Sequence, residues 1–293
     1  MLKNKIISSV KERWYRHTEP WKLAFLRRRY EKYYGPDDPS PKVFIYTPTY
    51  NRGKILLERA IKGVLSQTYK NFVYLVVGDC CTDETAEIMR HVDDSRVQFY
   101  NLPTRSYRYP PTAENHWFAG PVVAANTALA RVPADCAWIA RCDDDDTWVE
   151  DHLESSLAFA MAGNYEFVTS LALAERYGER TTSKPVFLYG PYFKEPLPAN
   201  PHSRYIYNPR IGQTNTLVYR SYLRYFRYNL DCWRGSHNKV NDVNLYHRLG
   251  TAGVRMGFLE KVGVHYFPRP GEETVGSEVY RNNAERIEKQ YQF

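Results

Sequence analysis

The sequence predicts an α/β protein with a mainly parallel central sheet flanked by helices, preceded by a basic N-terminal helical arm. Over residues 42–162, apolar runs of strand type alternate with segments in which apolar residues recur at helical spacing. This is the pattern of parallel strands joined by right-handed crossovers. Residues 1–34 carry ten lysines and arginines against three glutamates, which already gives the net charge of +7. Residues 35–293 sum to zero net charge, and a turn-rich linker at 35–41 separates the arm from the body.

The elements of the body follow from these patterns. Strands are predicted at Val43–Thr49, 72–77, 97–100 and 136–141, and helices over 55–65, after Asp83, near 122–129 and over 149–161. From residue 166 onward, strands at 167–174 and 214–219 flank a loop at 177–209 that is rich in Pro, Tyr and Lys. We therefore expect an arm with its linker at 1–40 and a body at 41–293, divided into halves at 41–150 and 151–293.

Several classes of protein are disfavoured by composition. The chain contains no run of about 18 uncharged apolar residues, so a membrane-spanning helix is not expected. The N-terminus lacks the apolar segment and cleavage site of a secretory signal, which predicts a cytoplasmic protein. The five cysteines show no C-x-x-C spacing, and this favours reduced thiols over a zinc or redox site.

Four consecutive aspartates follow the strand predicted at 136–141: Asp143, Asp144, Asp145 and Asp146. Carboxylates crowded at one strand end repel one another unless a cation or hydrogen bonds compensate them, and Mg²⁺ and Mn²⁺ prefer oxygen ligands. The alternative is a solvated acidic face, with some acids at the N-terminus of a helix starting near Trp148. We interpret the run as a metal site.

Two more polar features are expected at the same edge of the sheet. Asp79 follows the second strand, where an acid is either an ordinary turn residue or a hydrogen-bond acceptor for a base or ribose. The first strand closes with the loop Thr47, Pro48, Thr49, Tyr50 and Asn51. This loop is either a simple turn, since Pro and Asn are turn residues, or a floor on which a nucleobase stacks.

Together these segments resemble a family 2 glycosyltransferase of the GT-A fold. The resemblance is carried, in order, by residues 43–51, 60–69 with Leu65-Ser66-Gln67-Thr68-Tyr69, 78–85 and 138–153. It covers roughly residues 42 to 160. It implies a nucleotide-sugar donor bound by the half at 41–150 and an acceptor bound by the half at 151–293.

The resemblance also implies roles for the acidic run. The family's D-x-D element matches Asp143, Asp144 and Asp145. On this match Asp145 coordinates Mn²⁺ or Mg²⁺, with Asp143 as a further candidate ligand. Asp143 or Asp144 would reach the ribose or the sugar.

The same match extends to the nucleotide. Asp79 corresponds to the family's base-recognising aspartate, and Thr47, Thr49 and Tyr50 correspond to its first nucleotide-binding loop. Pro48 and Asn51 belong to that loop.

In the second half, residues 241–249 resemble the family's E-D segment, which opens a helix. Asp242 then falls on the catalytic base. Asn241 replaces the family's Glu and Asn244 replaces a frequent second acid, which leaves Asp242 as the carboxylate of the segment. The alternative is that Asp242 caps the helix of Leu245 and Leu249.

Two further positions are expected near the donor. Asn126 fits the asparagine that precedes the family's metal motif, but alanines stand where a basic residue often accompanies it. The diphosphate charge would then be balanced by the metal or by Arg105 or Arg108. His265 is either an additional metal ligand or a structural histidine.

The sequence thus predicts an inverting, metal-dependent transferase that moves a sugar from a UDP-sugar to an acceptor hydroxyl, in surface polysaccharide or glycoconjugate synthesis. The acceptor would be a saccharide or a lipid-linked saccharide. A nearer rival is a sugar-nucleotide hydrolase or nucleotidyltransferase on the same fold. A nucleic-acid-binding protein is disfavoured, because the positive charge is confined to the first 34 residues.

The arm has two interpretations. Its apolar residues interleave with cations, as in an interfacial helix on an anionic membrane: Trp14, Trp21, Leu23, Phe25 and Leu26 among Arg13, Arg16, Lys22 and Arg27 to Arg29. The protein would then lie at the inner face of the membrane, where a lipid-linked acceptor is presented. Alternatively, the same residues pack on the body or on a second subunit of a homo-oligomer.

Overall fold

The computed structural model describes residues 2–31, 38–105, 108–176, 179–183, 186–187, 210–235, 239–267 and 281–291. Its strands are β1 (Val43–Thr49), β2 (Phe72–Gly78), β3 (Val97–Asn101), β4 (Trp138–Arg141), β5 (Thr147–Trp148), β6 (Phe167–Arg176), β7 (Glu179–Thr182), β8 (Val186–Phe187), β9 (Arg210–Ile211), β10 (Val218–Arg220) and β11 (Met256–Tyr266). Its helices are α1 (Leu2–Tyr30), α2 (Gly53–Leu56), α3 (Lys62–Leu65), α4 (Thr85–Arg90), α5 (Ala113–Ala119), α6 (Val122–Ala130), α7 (His152–Ala162), α8 (Asn241–Ala252) and α9 (Ala284–Tyr291). A π-helical stretch, Leu57–Ile61, joins α2 to α3.

One large sheet forms the centre of the body, in the order β3-β2-β1-β4-β10-β6-β11-β5, with β7 also paired to β6. The first-half strands β3, β2, β1 and β4 are parallel. They agree with the predicted alternation of strands and helices. The second half adds β10, antiparallel to both β4 and β6, and β11, parallel to β6. The sheet is therefore parallel at its first-half side and mixed beyond.

Both faces of the sheet are covered, and β1 shows how. Its seven residues are all buried. Successive side chains of a strand point to opposite faces. Val43 and Ile45 accordingly join a core with the α2–α3 segment and α7, whereas Phe44 and Tyr46 join a core with α1, α6 and α8. A strand buried on both sides explains why this segment is an unbroken apolar run in the sequence.

Two predicted elements differ in extent. The helix predicted over 149–161 begins at His152, because Trp148 instead belongs to β5 and pairs with Val264. The strand predicted at 214–219 is shorter, since Thr214–Thr216 forms a 3₁₀ turn before β10. The predicted loop at 177–209 lies largely outside the described residues.

The basic arm forms α1, which packs on the body. Leu23 and Leu26 are 1% and 5% exposed and belong to the same core as α8. Two ion pairs of low exposure lie beside them, Arg27 with Glu166 and Glu19 with Arg248. None of the described helices combines the length and the apolar content that crossing a bilayer requires.

Candidate active site

A cleft of about 450 Å³ opens at the carboxyl edge of the parallel strands. In an open α/β sheet this is where ligands bind, because the loops that follow the strands converge there. The cleft brings together eight of the predicted site residues with Asp146: Pro48, Thr49, Tyr50, Asp79, Asp143, Asp144, Asp145 and Asp242. The loop after β1, the end of β2, the run after β4 and the start of α8 thus share one cavity.

One corner of the cleft holds Asp79 between two arginines. Arg105 Nε and Arg108 Nη1 each lie 3.4 Å from a carboxylate oxygen of Asp79. Burial raises the pKa of Asp79, and the two guanidinium groups oppose that shift. The guanidinium of Arg105 also stacks 3.7 Å from the centre of the Tyr50 ring. An aromatic face, an acid and two cations therefore meet at one point.

The remaining loop residues brace this corner. Thr47 is fully buried, and its hydroxyl donates to the Cys142 carbonyl at 2.8 Å, which ties β1 to the start of the acidic run. The Asn51 side-chain oxygen accepts from Thr82 N at 2.8 Å. Asn51 has a φ of 48°, a left-handed conformation that asparagine tolerates better than most residues. Thr47 and Asn51 therefore shape the loop and do not line the cleft.

The four aspartates are held by separate partners. Arg141 Nε donates to Asp143 at 2.9 Å, and Thr49 Oγ1 donates to Asp144 at 2.8 Å. Arg52 Nη1 bridges the run, at 3.0 Å from Asp144 and 2.8 Å from Asp145.

The fourth acid, Asp146, is 1% exposed and accepts from the Asn215 side chain and from the backbone N–H of Phe267. It therefore fixes the floor of the cleft. The proposal that these acids sit at the N-terminus of a helix is wrong, because β5 lies between Asp146 and the start of α7 at His152.

Electrostatics set this cluster apart from a solvated acidic face. Burial raises the pKa of Asp143, of Asp144 and, most strongly, of Asp146, and the neighbouring carboxylates add to each shift. Arg141 and Arg52 oppose the shifts at Asp143 and Asp144. A cation placed here would relieve repulsion that the two arginines offset only in part.

The donor set fits a hard divalent cation. Within the described ranges, no group of three or more His, Cys, Asp or Glu side chains is arranged to hold a metal ion by itself. Asp143 and Asp145 nevertheless present carboxylates to the cleft, with side chains 29% and 22% exposed. One or two carboxylates, completed by phosphate oxygens and water, is a usual arrangement for Mg²⁺.

Asp242 lies on another wall of the cleft, in the first turn of α8. Its carboxylate accepts from the Thr214 hydroxyl and from Val243 N at 2.7 Å. Asp242 is not the N-cap residue, which is Val240, although its carboxylate does accept from the first-turn N–H of Val243. The negative charge of Asp242 also raises the pKa of Asp143, by less than burial and Asp145 do. The two carboxylates are therefore close enough to interact across the cleft.

The family is decided by comparison with known proteins. The model of the family described as glycosyl transferase family 2 matches residues 44–231, well over half of the chain. The chain belongs to glycosyl transferase family 2. The predicted resemblance, which rested on residues 42–160, is confirmed.

Individual relatives match over a shorter region. TuaG of Bacillus subtilis, assigned as a teichuronic acid biosynthesis glycosyltransferase, is 32% identical over 129 residues, 43% of this chain and 45% of its own. WfgD of Escherichia coli, a UDP-Glc:α-D-GlcNAc-diphosphoundecaprenol β-1,3-glucosyltransferase, is 29% identical over 142 residues, 46% of this chain and 50% of its own. The chain spans about half the length of these relatives.

Solved structures share the fold. TarS of S. aureus, residues 1–349 in complex with UDP-GlcNAc, superposes with a TM-score of 0.53 at 22% identity, covering 79% of this chain and 60% of that one. The mannosyltransferase PcManGT of Pyrobaculum calidifontis, in complex with GDP-Man and Mn²⁺, gives 0.51 at 15% identity, covering 87% and 67%. The GT-A fold class predicted from the sequence is confirmed.

Two predicted residues of this family 2 chain lie elsewhere. The Asn126 side chain donates to Tyr228 O and accepts from Tyr228 N, both at 3.0 Å. It thereby fixes a second-half loop on α6 and is not among the described residues that line the cleft. His265 pairs with Thr147 through β11 and β5, and β11 contributes Tyr266, not His265, to the cleft lining.

Sequence reasoning missed Arg52 and Arg141 as parts of this site. Arg52 comes directly after the loop at 47–51, and Arg141 is the last residue of β4, so both lie at the functional edge of the sheet. Arg141 could have been found because it is a charged residue at the end of an otherwise apolar predicted strand. Such a residue is buried only when it is paired, which indicates a nearby acid.

Proposed function

We propose that this family 2 protein is an inverting, metal-dependent glycosyltransferase that moves a sugar from a UDP-sugar to an acceptor hydroxyl. The observation that carries the proposal is the single cleft in which the acidic run, the Asp79 corner and Asp242 face one another. Such a transfer needs one group to hold the leaving diphosphate and another to take the acceptor proton, and these walls supply candidates for both.

The nucleoside end of the donor is proposed to bind at the Asp79 corner. The base would stack on the face of Tyr50, where the guanidinium of Arg105 now lies at 3.7 Å. Asp79 would accept hydrogen bonds from the base, as its match to the family motif implies. Arg105 and Arg108 would then turn toward the diphosphate. TarS binds UDP-GlcNAc and PcManGT binds GDP-Man, so the fold accepts both bases. Our choice of uridine for this chain is supported by the UDP-sugars named for TarS and WfgD.

The diphosphate is proposed to lie over the acidic run. Mn²⁺ or Mg²⁺ held by Asp145 and Asp143 would act as a Lewis acid that stabilises the charge on the leaving group. PcManGT contains Mn²⁺, which supports this proposal for the fold. Arg52 pairs with both Asp144 and Asp145 and so restricts the movement of these two carboxylates relative to each other. Arg141 orients the carboxylate of Asp143. His265 stays a predicted ligand without a contact to this cluster.

Asp242 is proposed as the general base. A sugar hydroxyl has a pKa far above 7, so it needs a carboxylate to accept its proton as the new bond forms. Thr214 Oγ1 and Val243 N orient the Asp242 carboxylate and reduce its freedom to rotate. If the acceptor enters from the Asp242 wall and the diphosphate leaves over the aspartate run, a single displacement inverts the anomeric carbon.

The acceptor is proposed to be a saccharide, carried on a lipid diphosphate, in the synthesis of a surface polysaccharide. The name of WfgD supports an acceptor carried on a lipid diphosphate, and the name of TuaG supports a role in polysaccharide synthesis. We further propose that the enzyme works in the cytoplasm at the inner face of the membrane, with no nucleic acid partner. Homo-oligomer formation stays a prediction.

The decisive experiment compares wild type with Asp242→Asn in a transfer assay with UDP-sugars and a diphosphate-linked acceptor. We expect donor binding to be retained and transfer to fall by roughly a hundredfold, the usual scale for loss of a general base. Asp135→Asn makes the same change at a surface aspartate whose side chain is 62% exposed, and it should leave transfer unchanged. Normal turnover in Asp242→Asn would refute the assignment.

The products distinguish the rivals. Transfer yields UDP and a glycoside whose anomeric configuration, read by NMR, is opposite to that of the donor. Hydrolysis would release free sugar at the same rate with and without acceptor. A nucleotidyltransferase acting on the same donor would transfer UMP to the acceptor and release sugar 1-phosphate in place of UDP. Retention of configuration would remove the single-displacement mechanism while leaving the transfer itself intact.

A further inference from the structure

We propose that α1 docks on an anionic membrane surface through the side of the helix that faces away from the body. Five large apolar side chains are exposed there: Ile6 at 55%, Val10 at 62%, Trp14 at 67%, Trp21 at 79% and Phe25 at 60%. Elsewhere among the described residues, the exposed large apolar side chains are Ile55, Leu57 and Val243, at 39–41%. Exposed apolar area is thus concentrated on one helix.

These five residues form a stripe, which we call the α1 stripe. An α-helix turns by about 100° and rises about 1.5 Å per residue. Successive spacings of four, four, seven and four residues therefore keep the stripe within a sector of about 100° and extend it over roughly 29 Å. Tryptophan, present twice, is a residue that favours the boundary between water and hydrocarbon. The stripe has the shape and chemistry of a surface that lies in a membrane interface.

The opposite side of α1 anchors the helix, so that the stripe is presented by a fixed element. Leu23 and Leu26 are buried in the core, Glu19 pairs with Arg248, and Arg27 pairs with Glu166. With apolar residues on both sides, the two interpretations of the arm are not exclusive. One side packs on the body and the other side stays available.

Charge identifies the occupant. Among the described side chains of α1, the exposed cations other than Lys22, whose ammonium donates to Tyr225 O on the body, are Arg13, Arg16, Arg28 and Arg29, and the exposed acid is Glu12. Anionic lipid headgroups match this excess, and each cation held near such a surface contributes substantially to binding. A second copy docked symmetrically on the same stripe would instead bring two sets of cations together, which disfavours a dimer through this face.

This inference does not depend on the proposed transfer reaction. The test is co-sedimentation of the full chain with phosphatidylcholine vesicles that do or do not contain phosphatidylglycerol. Wild type should pellet with the anionic vesicles and stay in solution with the neutral ones. A triple variant, Trp14→Ser, Trp21→Ser and Phe25→Ser, should bind anionic vesicles at least about tenfold more weakly, because the apolar contribution is lost.

Two further variants separate charge from apolar contact. Arg28→Gln should weaken binding to anionic vesicles by about fivefold, the effect of one surface-bound cation. Leu57→Ser, which removes an exposed leucine outside α1 (41% exposed), should retain wild-type binding. We use substitutions because they keep α1 in place. A chain shortened to begin at Asp37 would lack Leu23 and Leu26 and would expose the core residues that these two leucines cover. As a control for folding, each variant should have the same thermal unfolding midpoint as wild type.

Three results would overturn the proposal. Wild type could remain in the supernatant with anionic vesicles, or the triple variant could pellet as wild type does. Light scattering could also show a wild-type dimer and a monomeric triple variant, neither of which binds vesicles. That last result would assign the α1 stripe to a second copy of the chain.

Discussion

Replacement of Arg27 by alanine should destabilise the protein, because Glu166 would be left as a buried, poorly compensated charge. The Glu166 side chain is fully buried, and Arg27 Nε donates to it at 2.6 Å while the other guanidinium nitrogen donates to its second oxygen. The Tyr222 hydroxyl at 2.6 Å and Arg255 N at 2.8 Å also donate to Glu166. These two neutral donors remain when Arg27 is removed, and so does the Arg255 guanidinium, 3.7 Å from Glu166 Oε1.

The magnitude follows from this geometry. Loss of one partner of a buried ion pair costs about 3–5 kcal/mol, and the surviving donors place Arg27→Ala near the lower end, about 3 kcal/mol. Unfolding entropy of about 2.1 cal/mol/K per residue gives about 0.6 kcal/mol/K for a chain of this length. The Tm should therefore fall by about 5 °C. Arg28→Ala, one position along α1 but exposed, should change the Tm by less than about 1 °C.

The pH dependence supplies a second measurement. Burial raises the pKa of Glu166, but the hydrogen bonds and charge of Arg27 outweigh it, so the pKa lies below its ordinary value. The pair's stabilisation is therefore complete above the pKa of an unfolded glutamate, about 4.3, and is lost as pH falls through the folded value. Calorimetry should show the full Tm difference at pH 7 and a smaller one below about pH 4. A Tm of Arg27→Ala within 1 °C of wild type at pH 7 would refute the reasoning.

Two further predictions concern the metal proposed for the cleft and Asn126, which lies outside it. UDP should raise the Tm of wild type more in the presence of Mn²⁺ than in the presence of EDTA. Asp145→Ala should abolish this difference, whereas the control Asp135→Asn should retain it. Equal Tm shifts with Mn²⁺ and with EDTA in wild type would contradict the metal proposal. Asn126→Ala should lower the free energy of unfolding by about 1–2 kcal/mol in urea titrations, because two hydrogen bonds to Tyr228 are lost. UDP affinity should be unaffected by Asn126→Ala, and a tenfold loss in calorimetric titration would return this residue to the donor site.

Much of the first half of the fold was predictable because strands β1 and β2 are buried on both faces. β1 and β2 are near-continuous apolar runs, and the helices between them are amphipathic, so the period of the sequence changes at each boundary. The second half was harder. β10 has three residues and follows a 3₁₀ turn, too short a segment for a periodic signal. Trp148 fits a helical pattern, yet its backbone pairs with Val264, more than a hundred residues later.

The site shows the same division. Asp79 and Asp143 could be placed from sequence because each is an acid next to the end of a strand at one sheet edge, whereas Asp242 was placed through the resemblance of residues 241–249 to the family's E-D segment. Arg52 could not be placed, since its role depends on reaching Asp144 and Asp145, which lie some 90 positions along the chain.

Asn126 fitted a motif position but faces the Tyr228 backbone. Local sequence shows which residue types are present, whereas the partner of a long side chain is a tertiary property.

The position of β10 has a mechanical consequence. This strand, from the second half of the chain, is hydrogen-bonded to β4 on one side and β6 on the other. Tyr246 of α8 packs edge-on against Phe167 of β6, with ring centres 5.3 Å apart. The helix that carries Asp242 is therefore packed on the same sheet that leads through β10 to the aspartate run, so separating the two would disrupt the strand pairing of β10 or the contact of α8 with β6. If Asp242 is the base and the aspartate run holds the diphosphate, as proposed, the fold sets the spacing of these groups before the substrates bind.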